Sequence, residues 1–307
     1  MTSLLLHIGA VLVLPFLVSG VIQRTKALWA GRRGPPILQL LFDVRRLLRK
    51  RRVYSETTSF VFRVGPSAVL VTSVVSSFVA PYLGIPSPLA FPFDFVWFAY
   101  VWGLGRVALM LSALDTGSPF AGMGASREAT FAALLEPAFF LVGGATVLVT
   151  KERSFEAILS LHATQGTAFV VWFASVVALL VLVQVECARM PVDDPTTHLE
   201  LTMVHEAMIL DHSAAELAFV QLGATVKLTV GLGIVATLLN PLAGRTTPVV
   251  VALANLLIVL LLAAAIGTVE SLIARLKLRA VPQYIAVALV ASGVALLATT
   301  WTPGGPG

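Results

Sequence analysis

One cysteine, Cys187, is present in 307 residues. An iron–sulfur cluster usually takes four thiolates, so none is expected within this chain, and an internal disulfide is excluded. Charge is equally scarce. Asp, Glu, Lys and Arg make up 12% of the residues against 57% hydrophobic, where a soluble domain carries roughly 25% charged residues. The mean hydropathy is +0.91. These values predict an all-α, polytopic membrane protein forming one membrane domain over residues 1–307. No strand followed by a glycine-rich turn and Gly-Lys-Ser/Thr occurs, which argues against a nucleotide site. There is no internal repeat and no low-complexity stretch beyond the Gly/Pro tail at 303–307. The first apolar run, Leu4 to Val21, lacks a charged n-region and a small-residue cleavage site, and reads as a retained span.

A helix needs about 20 apolar residues to cross the hydrocarbon core. Eight stretches qualify, at roughly 3–22, 60–82, 89–113, 128–149, 166–187, 214–239, 247–274 and 281–300. The first loop holds Arg24, Lys26, Arg32, Arg33, Arg45, Arg46, Arg49, Lys50, Arg51 and Arg52. The positive-inside rule makes it cytoplasmic. The expected cytoplasmic loops are then about 23–59, 114–127, 187–213 and 275–280, with both termini outside. Loops assigned to the other side carry few basic residues: none in 84–88, Arg245 alone in 240–248, and Lys151 and Arg153, balanced by Glu152 and Glu156, in the loop between them. The net charge of +5 is thus a topology signal, and no nucleic-acid partner is expected. Pro35 to Arg52 follows a Gly34-Pro35-Pro36 breaker and places Leu38, Leu41, Phe42, Arg45, Leu48 and Arg49 on a helical period. An amphipathic surface helix is predicted there, serving as a lipid anchor or as a docking platform for a soluble partner.

The main polar insert begins at Glu186, after an uncharged run from Gly166 to Val185. It continues through Arg189, Asp193, Asp194, His198, Glu200, His205 and Glu206 to Asp211 and His212. Six of the sixteen acids and three of the five histidines lie in this segment. Asp194 before Pro195 is a helix-start pair, so a helix from Pro195 to about Leu210 is predicted. His198 and His205 would share one face about 10 Å apart along the axis, at 1.5 Å per residue, too far to ligate one metal. Ile209 stands where a His-Glu-x-x-His motif needs histidine, so no metal site is expected. A row of acids and histidines fits a hydrated proton path or a polar docking surface. A wholly solvated loop fits less well, because Leu199, Leu201, Met203, Val204, Met208 and Ile209 are too apolar.

Within the spans, Glu136, Glu186 and Glu270 are candidate carriers, with Arg106 and Lys227 as partners for them. Asp94, near an outer helix end, is expected to be wet. Intramembrane charges must pair or face a water-filled cavity. Three acids on different spans favour a path over a set of packing ion pairs. Loop 3, Asp115 to Glu128, contains Gly117, Gly122, Gly124 and Pro119. A compact irregular loop is predicted, with Ser126 capping the next span and Glu128 near its N-terminal dipole.

Two runs carry a resemblance: Ala113-Leu-Asp115-Thr-Gly-Ser-Pro-Phe-Ala-Gly-Met-Gly-Ala-Ser-Arg127-Glu128, and Glu186-Cys-Ala-Arg-Met-Pro-Val-Asp-Asp-Pro-Thr-Thr-His-Leu-Glu200 through His205-Glu206-Ala-Met. Together with Glu270 to Pro282 they resemble the membrane-anchor subunit of group 4 energy-converting [NiFe]-hydrogenases, the formate hydrogenlyase subunit 4 and hydrogenase-4 component C group. That group belongs with the subunit 1 family of respiratory complex I. The resemblance implies a non-catalytic subunit of an oxidoreductase complex in a prokaryotic cytoplasmic (inner) membrane. Its implied partners are a hydrogenase-like large subunit with the nickel–iron site, an iron–sulfur small subunit, antiporter-like membrane subunits and membrane lipid.

The resemblance further implies a proton (or sodium) path through Glu136, Glu186, Asp193, Asp194, Glu200, His205, Glu206, Asp211 and Glu270. Arg106, Arg127, Arg189, Lys227 and Arg275 would be its charge partners, and Asp115, Glu128, Arg45, Arg46 and Arg49 would meet the peripheral arm. No cofactor is expected in this chain. In complex I relatives the same cavity holds a quinone headgroup, whereas the two loops here resemble the hydrogenase branch. A complex I-type quinone-chamber subunit is the second reading and a self-contained secondary ion transporter the third.

Overall fold

The computed structural model describes residues 2–161, 166–193 and 203–300. Its helices are α1 (Thr2–Trp29), α2 (Gln39–Leu48), α3 (Phe60–Val79), α4 (Asp94–Asp115), α5 (Pro119–Thr150), α6 (Phe155–Leu159), α7 (Thr167–Glu186), α8 (His205–Ile209), α9 (Ala214–Leu239), α10 (Pro248–Leu272) and α11 (Val281–Thr300). A short 3₁₀ turn, Leu278–Ala280, precedes α11. Eight helices are long and apolar enough to cross a membrane. The expected all-α membrane fold is the one found, and no strand occurs among the described residues. A spanning segment must satisfy its backbone internally, which is why apolar runs of this length form helices.

The most buried span is α9, which packs against α1, α2, α3, α7 and α10. Around it stand α3 with α4, α1 with α10, and a group of α5, α7 and α11. Small residues set the closest approach. A Cβ on Gly105 would lie 2.3 Å from Thr72 Oγ1, so only glycine lets α4 press onto α3 at that level. The next residue, Arg106, is thereby fixed at the bundle interior. Outward positions such as Leu253, Leu257 and Leu261 of α10 stay exposed and apolar, as a lipid-facing surface requires.

The largest departures from the sequence-based helix limits are four. First, α1 runs to Trp29, past the expected end near residue 22, and stops where Gly31 and Gly34 take positive φ. Glycine adopts that left-handed backbone without a steric penalty. Second, α2 is shorter than Pro35–Arg52. It is amphipathic as predicted, burying Val44 and Leu47 against Ala218 and Leu222 of α9.

Third, the expected loop at 114–127 shrinks to Thr116–Ser118, because α5 begins at Pro119. Ser118, not Ser126, stands at the N-cap, with proline in the first helical turn. Each interior glycine costs about 1 kcal/mol of helix propensity, and packing overrides that cost. A Cβ on Gly124 would meet Val204 O at 2.7 Å and Ala207 at 3.0 Å, so the glycine admits Val204 and Ala207 of loop 5, the connection between the fifth and sixth spans at 187–213, onto α5. Fourth, loop 5 is helical only at His205–Ile209 within its described residues, since Met203 and Val204 are not helical. Residues 194–202, and with them Asp194, Glu200 and His198, lie outside the described residues.

Asp94 is fully buried rather than wet. It accepts hydrogen bonds from Phe155 N at 2.6 Å and Phe95 N at 3.0 Å, tying α6 to the start of α4.

Candidate functional site

Four charged side chains from four spanning helices meet inside the bundle. Arg106 of α4 donates to Glu186 Oε2 at 2.6 Å and also to Glu136 Oε1 of α5. Lys227 of α9 donates to the other Glu186 oxygen, Oε1, at 2.5 Å and lies 5.3 Å from the centroid of the Trp102 ring. Arg106, Lys227 and Glu186 are nearly buried, whereas the Glu136 side chain is 57% exposed. Ions taken out of water are tolerable only when paired in this way. Arg106 and Lys227, expected as partners for the intramembrane acids, pair with Glu136 and Glu186, and Glu186 bridges both cations.

Two cavities border this quartet, and a third shares lining residues with one of them. The first, about 420 Å³, lies on the loop 5 side and is lined by Gln23 and Gln39, Asp43, Cys187, Arg189, Asp193, His205, Glu206 and Gln221 among others. The second, about 40 Å³, is lined by Thr72, Ser73, Trp102, Arg106, Glu128, Glu186, Cys187, His205 and Lys227. The third, about 940 Å³, is an apolar groove along α4 and α5 whose polar lining is Arg106, Glu136 and Glu186, with the Tyr100 and Trp97 rings at its wall. Cys187 and His205 border both the first and the second cavity. Arg106, Glu186 and Trp102 border both the second and the third. A polar chain therefore links the loop 5 face to the middle of the bundle.

Asp193 organises loop 5. Its Oδ1 accepts from Arg275 Nη2 at 2.7 Å, and its Oδ2 accepts from the backbone N–H groups of Val204 at 3.1 Å and His205 at 2.9 Å. Arg127 donates to Met203 O at 2.8 Å and holds the same turn from α5. Burial lowers the pKa of His205 and the neighbouring Asp193 carboxylate raises it, with the net direction downward. Burial pushes the Cys187 thiol up to about 12, so it stays protonated and carries no nucleophile. No group of three His, Cys, Asp or Glu side chains among the described residues is placed to hold a metal.

The other predicted residues fall elsewhere. Glu270 lies apart from the quartet, with its side chain fully buried between Lys26 at 3.0 Å and Arg189 at 3.5 Å. These are charge contacts whose geometry falls short of hydrogen bonds. Asp211 is exposed on the surface. Asp115, expected at the arm interface, accepts from Ser59 N at 2.7 Å, Ser59 Oγ at 2.8 Å and Phe62 N at 3.2 Å, so its acceptors are occupied in capping α3. Those bonds reach its carboxylate because α3 and α4 start and end at the same level. Glu128, expected at the same interface, instead lines the smallest cavity beside Arg106 and Lys227. It moved because the segment expected as a loop is helix, which turns Glu128 inward. Arg45, Arg46 and Arg49 are exposed on α2, Arg46 being 3.2 Å from Asp43.

A second buried polar cluster escaped the sequence reading. His212 is stacked on Phe62 with centroids 4.2 Å apart, and its Nε2 is 3.2 Å from Ser112 Oγ. Its Nδ1 is 3.8 Å from Glu216 Oε2, while Glu216 Oε1 accepts from Tyr54 O–H at 2.6 Å. That bond raises the Tyr54 pKa. Val53 N donates to Ser213 Oγ at 3.0 Å, so the cluster fastens the end of loop 1 to the start of α9. The available signal was an acid four residues after a histidine at a helix start.

Burial lowers the His212 pKa from 6.5 to about 4. The unfolded chain therefore takes up this proton at a higher pH than the folded one, and stability falls as pH drops from about 6.5 to about 4. At 1.36 kcal/mol per pKa unit the loss is on the order of 3 kcal/mol. Thermal unfolding in detergent is expected to show this component in the wild type and not in His212→Gln. Equal pH profiles would refute it.

An interior ion quartet, eight apolar spans and a polar loop folded against one end define a polytopic integral membrane protein. The sequence profile described as NADH dehydrogenase matches residues 2–301, and the chain belongs to that family. It is 29% identical to hydrogenase-4 component C of Escherichia coli strain K12 over 266 residues, 82% of each chain. It is 34% identical to formate hydrogenlyase subunit 4 of the same organism over 125 residues, 41% of each chain. The resemblance drawn from the loop 3 and loop 5 runs therefore holds. Among solved structures, it is similar to a chain of the membrane-bound sulfane sulfur reductase, an archaeal respiratory membrane complex. The TM-score is 0.77 at 18% identity, covering 97% of this chain and 98% of that one; at this identity the likeness is one of fold.

Proposed function

We propose that this chain is the membrane anchor and coupling subunit of a hydrogenase-like redox complex, moving protons (or sodium) along the three adjoining cavities. The observation that carries the reading is the shared wall residues. Cys187 and His205 border both the loop 5 cavity and the small one, and Arg106 and Glu186 border both the small one and the membrane groove. A cavity of about 40 Å³ has room for water, which needs roughly 10–15 Å³ of accessible volume and several polar partners. In this reading Glu206 and Asp193, with Asp194 and Glu200, gather ions at the loop 5 face. His205 and Glu128 pass them inward, and Glu186 and Glu136 receive them under the control of Arg106 and Lys227. Glu270, with Lys26 and Arg189, holds loop 5 to α1 and α10. Arg275 does the same for Asp193.

The peripheral arm would supply the electron chemistry, with a nickel–iron site in a large subunit and iron–sulfur clusters in a small one. Arg45, Arg46 and Arg49 on α2 give that arm, or anionic lipid, a basic surface. We place both termini outside a prokaryotic cytoplasmic membrane and residues 30–59, 116–118, 187–213 and 273–280 in the cytoplasm, within one polytopic domain.

A second reading, a quinone chamber, draws on the size of the loop 5 cavity, which at about 420 Å³ lies within the usual ligand range of roughly 300–1,000 Å³. Metal content of the complex purified through a tag on this chain separates the readings. Nickel together with many irons per chain is expected, and charge reversal at Arg45, Arg46 and Arg49 should strip both from the preparation. Iron without nickel, in the presence of the large subunit, favours the quinone reading. Neither metal in an intact preparation overturns the subunit assignment.

A further inference from the structure

A cavity of about 540 Å³ lies where α1 and α10 end on the same side of the bundle, between the last turns of the two helices and the turn that follows α1. Gly267 lets the helices meet just before it: a Cβ there would stand 2.8 Å from Ile22 O and 2.9 Å from Thr25 Cβ. One residue on, Thr268 Oγ1 accepts from Trp29 Nε1 at 3.1 Å. That bond holds the indole against α10 while the residue stays 56% exposed. A tryptophan at a span end, with its polar atom tethered and its ring outside, belongs at the headgroup level of a bilayer. Beside it, Leu28 and Leu272 are 67% and 62% exposed, as side chains facing acyl chains are.

Three cations stand around one acid at this level. Lys26 and Arg32 line the cavity, and Arg189 reaches Glu270 from loop 5. The Glu270 side chain is fully buried, and its single charge is divided between Lys26 at 3.0 Å and Arg189 at 3.5 Å. Lys26 meets that carboxylate without hydrogen-bond geometry, so its ammonium donors have no acceptor among the described residues. Its side chain is still 22% exposed. Arg32 is exposed and makes no ion pair among the described residues. The cavity therefore presents an excess of positive charge and free N–H donors, and both select an anion. Basic cavities between spans bind acidic lipid headgroups on these terms.

We propose that this cavity is a binding site for an anionic phospholipid. Its phosphodiester lies between Lys26 and Arg32, its glycerol beside Trp29, and its acyl chains on the outward faces of α1 and α10. Free phosphate would use the two cations and leave Leu28 and Leu272 uncovered. A zwitterionic lipid would bring an ammonium that the same cations repel. The site needs only the membrane fold and does not depend on the subunit reading.

The test places a photoreactive amino acid at position 272 and, in a separate variant, at position 28. Native membranes are irradiated, the protein is purified with the partners it retains, and the adducts are identified by mass spectrometry. Position 261, also exposed on α10 and roughly 16 Å along the helix at 1.5 Å per residue, supplies the bulk lipid ratio. The ratio of anionic to zwitterionic phospholipid at 272 and 28 should exceed that at 261 by about 30-fold, the weight of two basic residues at an anionic surface. Arg32→Gln should lower the enrichment about fivefold and Arg32→Glu about 30-fold. Both variants should accumulate as the wild type does, because Arg32 holds no ion pair. Equal ratios at all three positions overturn the site, as does an enrichment unchanged in both Arg32 variants. Adducts to polypeptide alone would show that another chain covers the cavity, and enrichment erased by excess inorganic phosphate would show that a free anion occupies it. Either result also overturns the proposal.

Discussion

Glu186→Ala is expected to keep the chain from accumulating in the membrane. Glu186 is the sole carboxylate within ion-pair distance of Lys227 among the described residues and one of two on Arg106. Its loss leaves one ammonium unpaired and one guanidinium half-paired in a nearly buried site. Removing one member of a buried ion pair costs about 3–5 kcal/mol, a large part of a total stability of roughly 5–15 kcal/mol. Glu186→Gln keeps the shape and one acceptor, so its loss should be smaller. The decisive comparison is the double variant Glu186→Gln with Lys227→Met, in which one positive and one negative charge leave together and Arg106 keeps Glu136. It should recover most of the stability lost in Glu186→Gln, with a coupling of about 0.5–3 kcal/mol between the two sites. Abundance in membranes and thermal unfolding in detergent provide the measurement. A Glu186→Ala protein as stable as the wild type would show that the quartet does not hold the bundle together. A double variant no better than the single one would show that charge balance is not the reason.

The eight spans were legible because each is an apolar run near the length a bilayer demands, and that signal needs no partner. The identities of the intramembrane charges were legible for the same reason: an acid or base in such a run stands out. Their pairing was only half legible. Arg106 and Lys227 stood out as cations available to the acids, yet nothing local in the chain says that Glu186 takes both while Glu270 takes Lys26 and Arg189. Those partners are brought together by helix packing across large sequence separations. Lys26 was hidden by its setting in the first basic stretch, where it read as a topology marker. The start of α5 was misread for a different reason. Three glycines and a proline weigh toward a loop in any local reading, whereas Gly124 is there to admit Val204 and Ala207. The resemblance set Glu128 at the arm, and in the structure it lines the narrow cavity, nine residues into α5. The His212–Glu216–Tyr54 cluster went unseen because Glu216, in the first turn of α9, reads as an ordinary dipole-compensating acid.

Glu128 is the residue at which transport and stability separate most cleanly. It lines the cavity of about 40 Å³ that shares lining residues with both larger ones, and it makes no ion pair within 4 Å among the described residues, unlike Glu186. Replacing it by glutamine thus strands no cation and keeps the side-chain volume. It removes the ability to take and release a proton at the narrowest point of the proposed path. Coupled turnover is expected to fall in Glu128→Gln on the order of 100-fold, the lower end of what a positioned proton donor or acceptor contributes. Assembly and thermal stability should stay within about 0.5 kcal/mol of the wild type, as for substitutions that disturb no paired group. Glu206→Gln should do less, because the loop 5 cavity is an order of magnitude larger and Asp193 and His205 also line it. The same ranking tells a path from a packing role. If the acids only fix helix contacts, Glu128→Gln will be silent in transport, and turnover losses across the series will follow stability, with Glu186→Gln worst. If they carry ions, Glu128→Gln will lose ion movement in sealed vesicles while its unfolding temperature stays with the wild type, and Glu128→Asp will restore part of the transport. Full coupled ion movement in an assembled Glu128→Gln complex would remove the small cavity from the path.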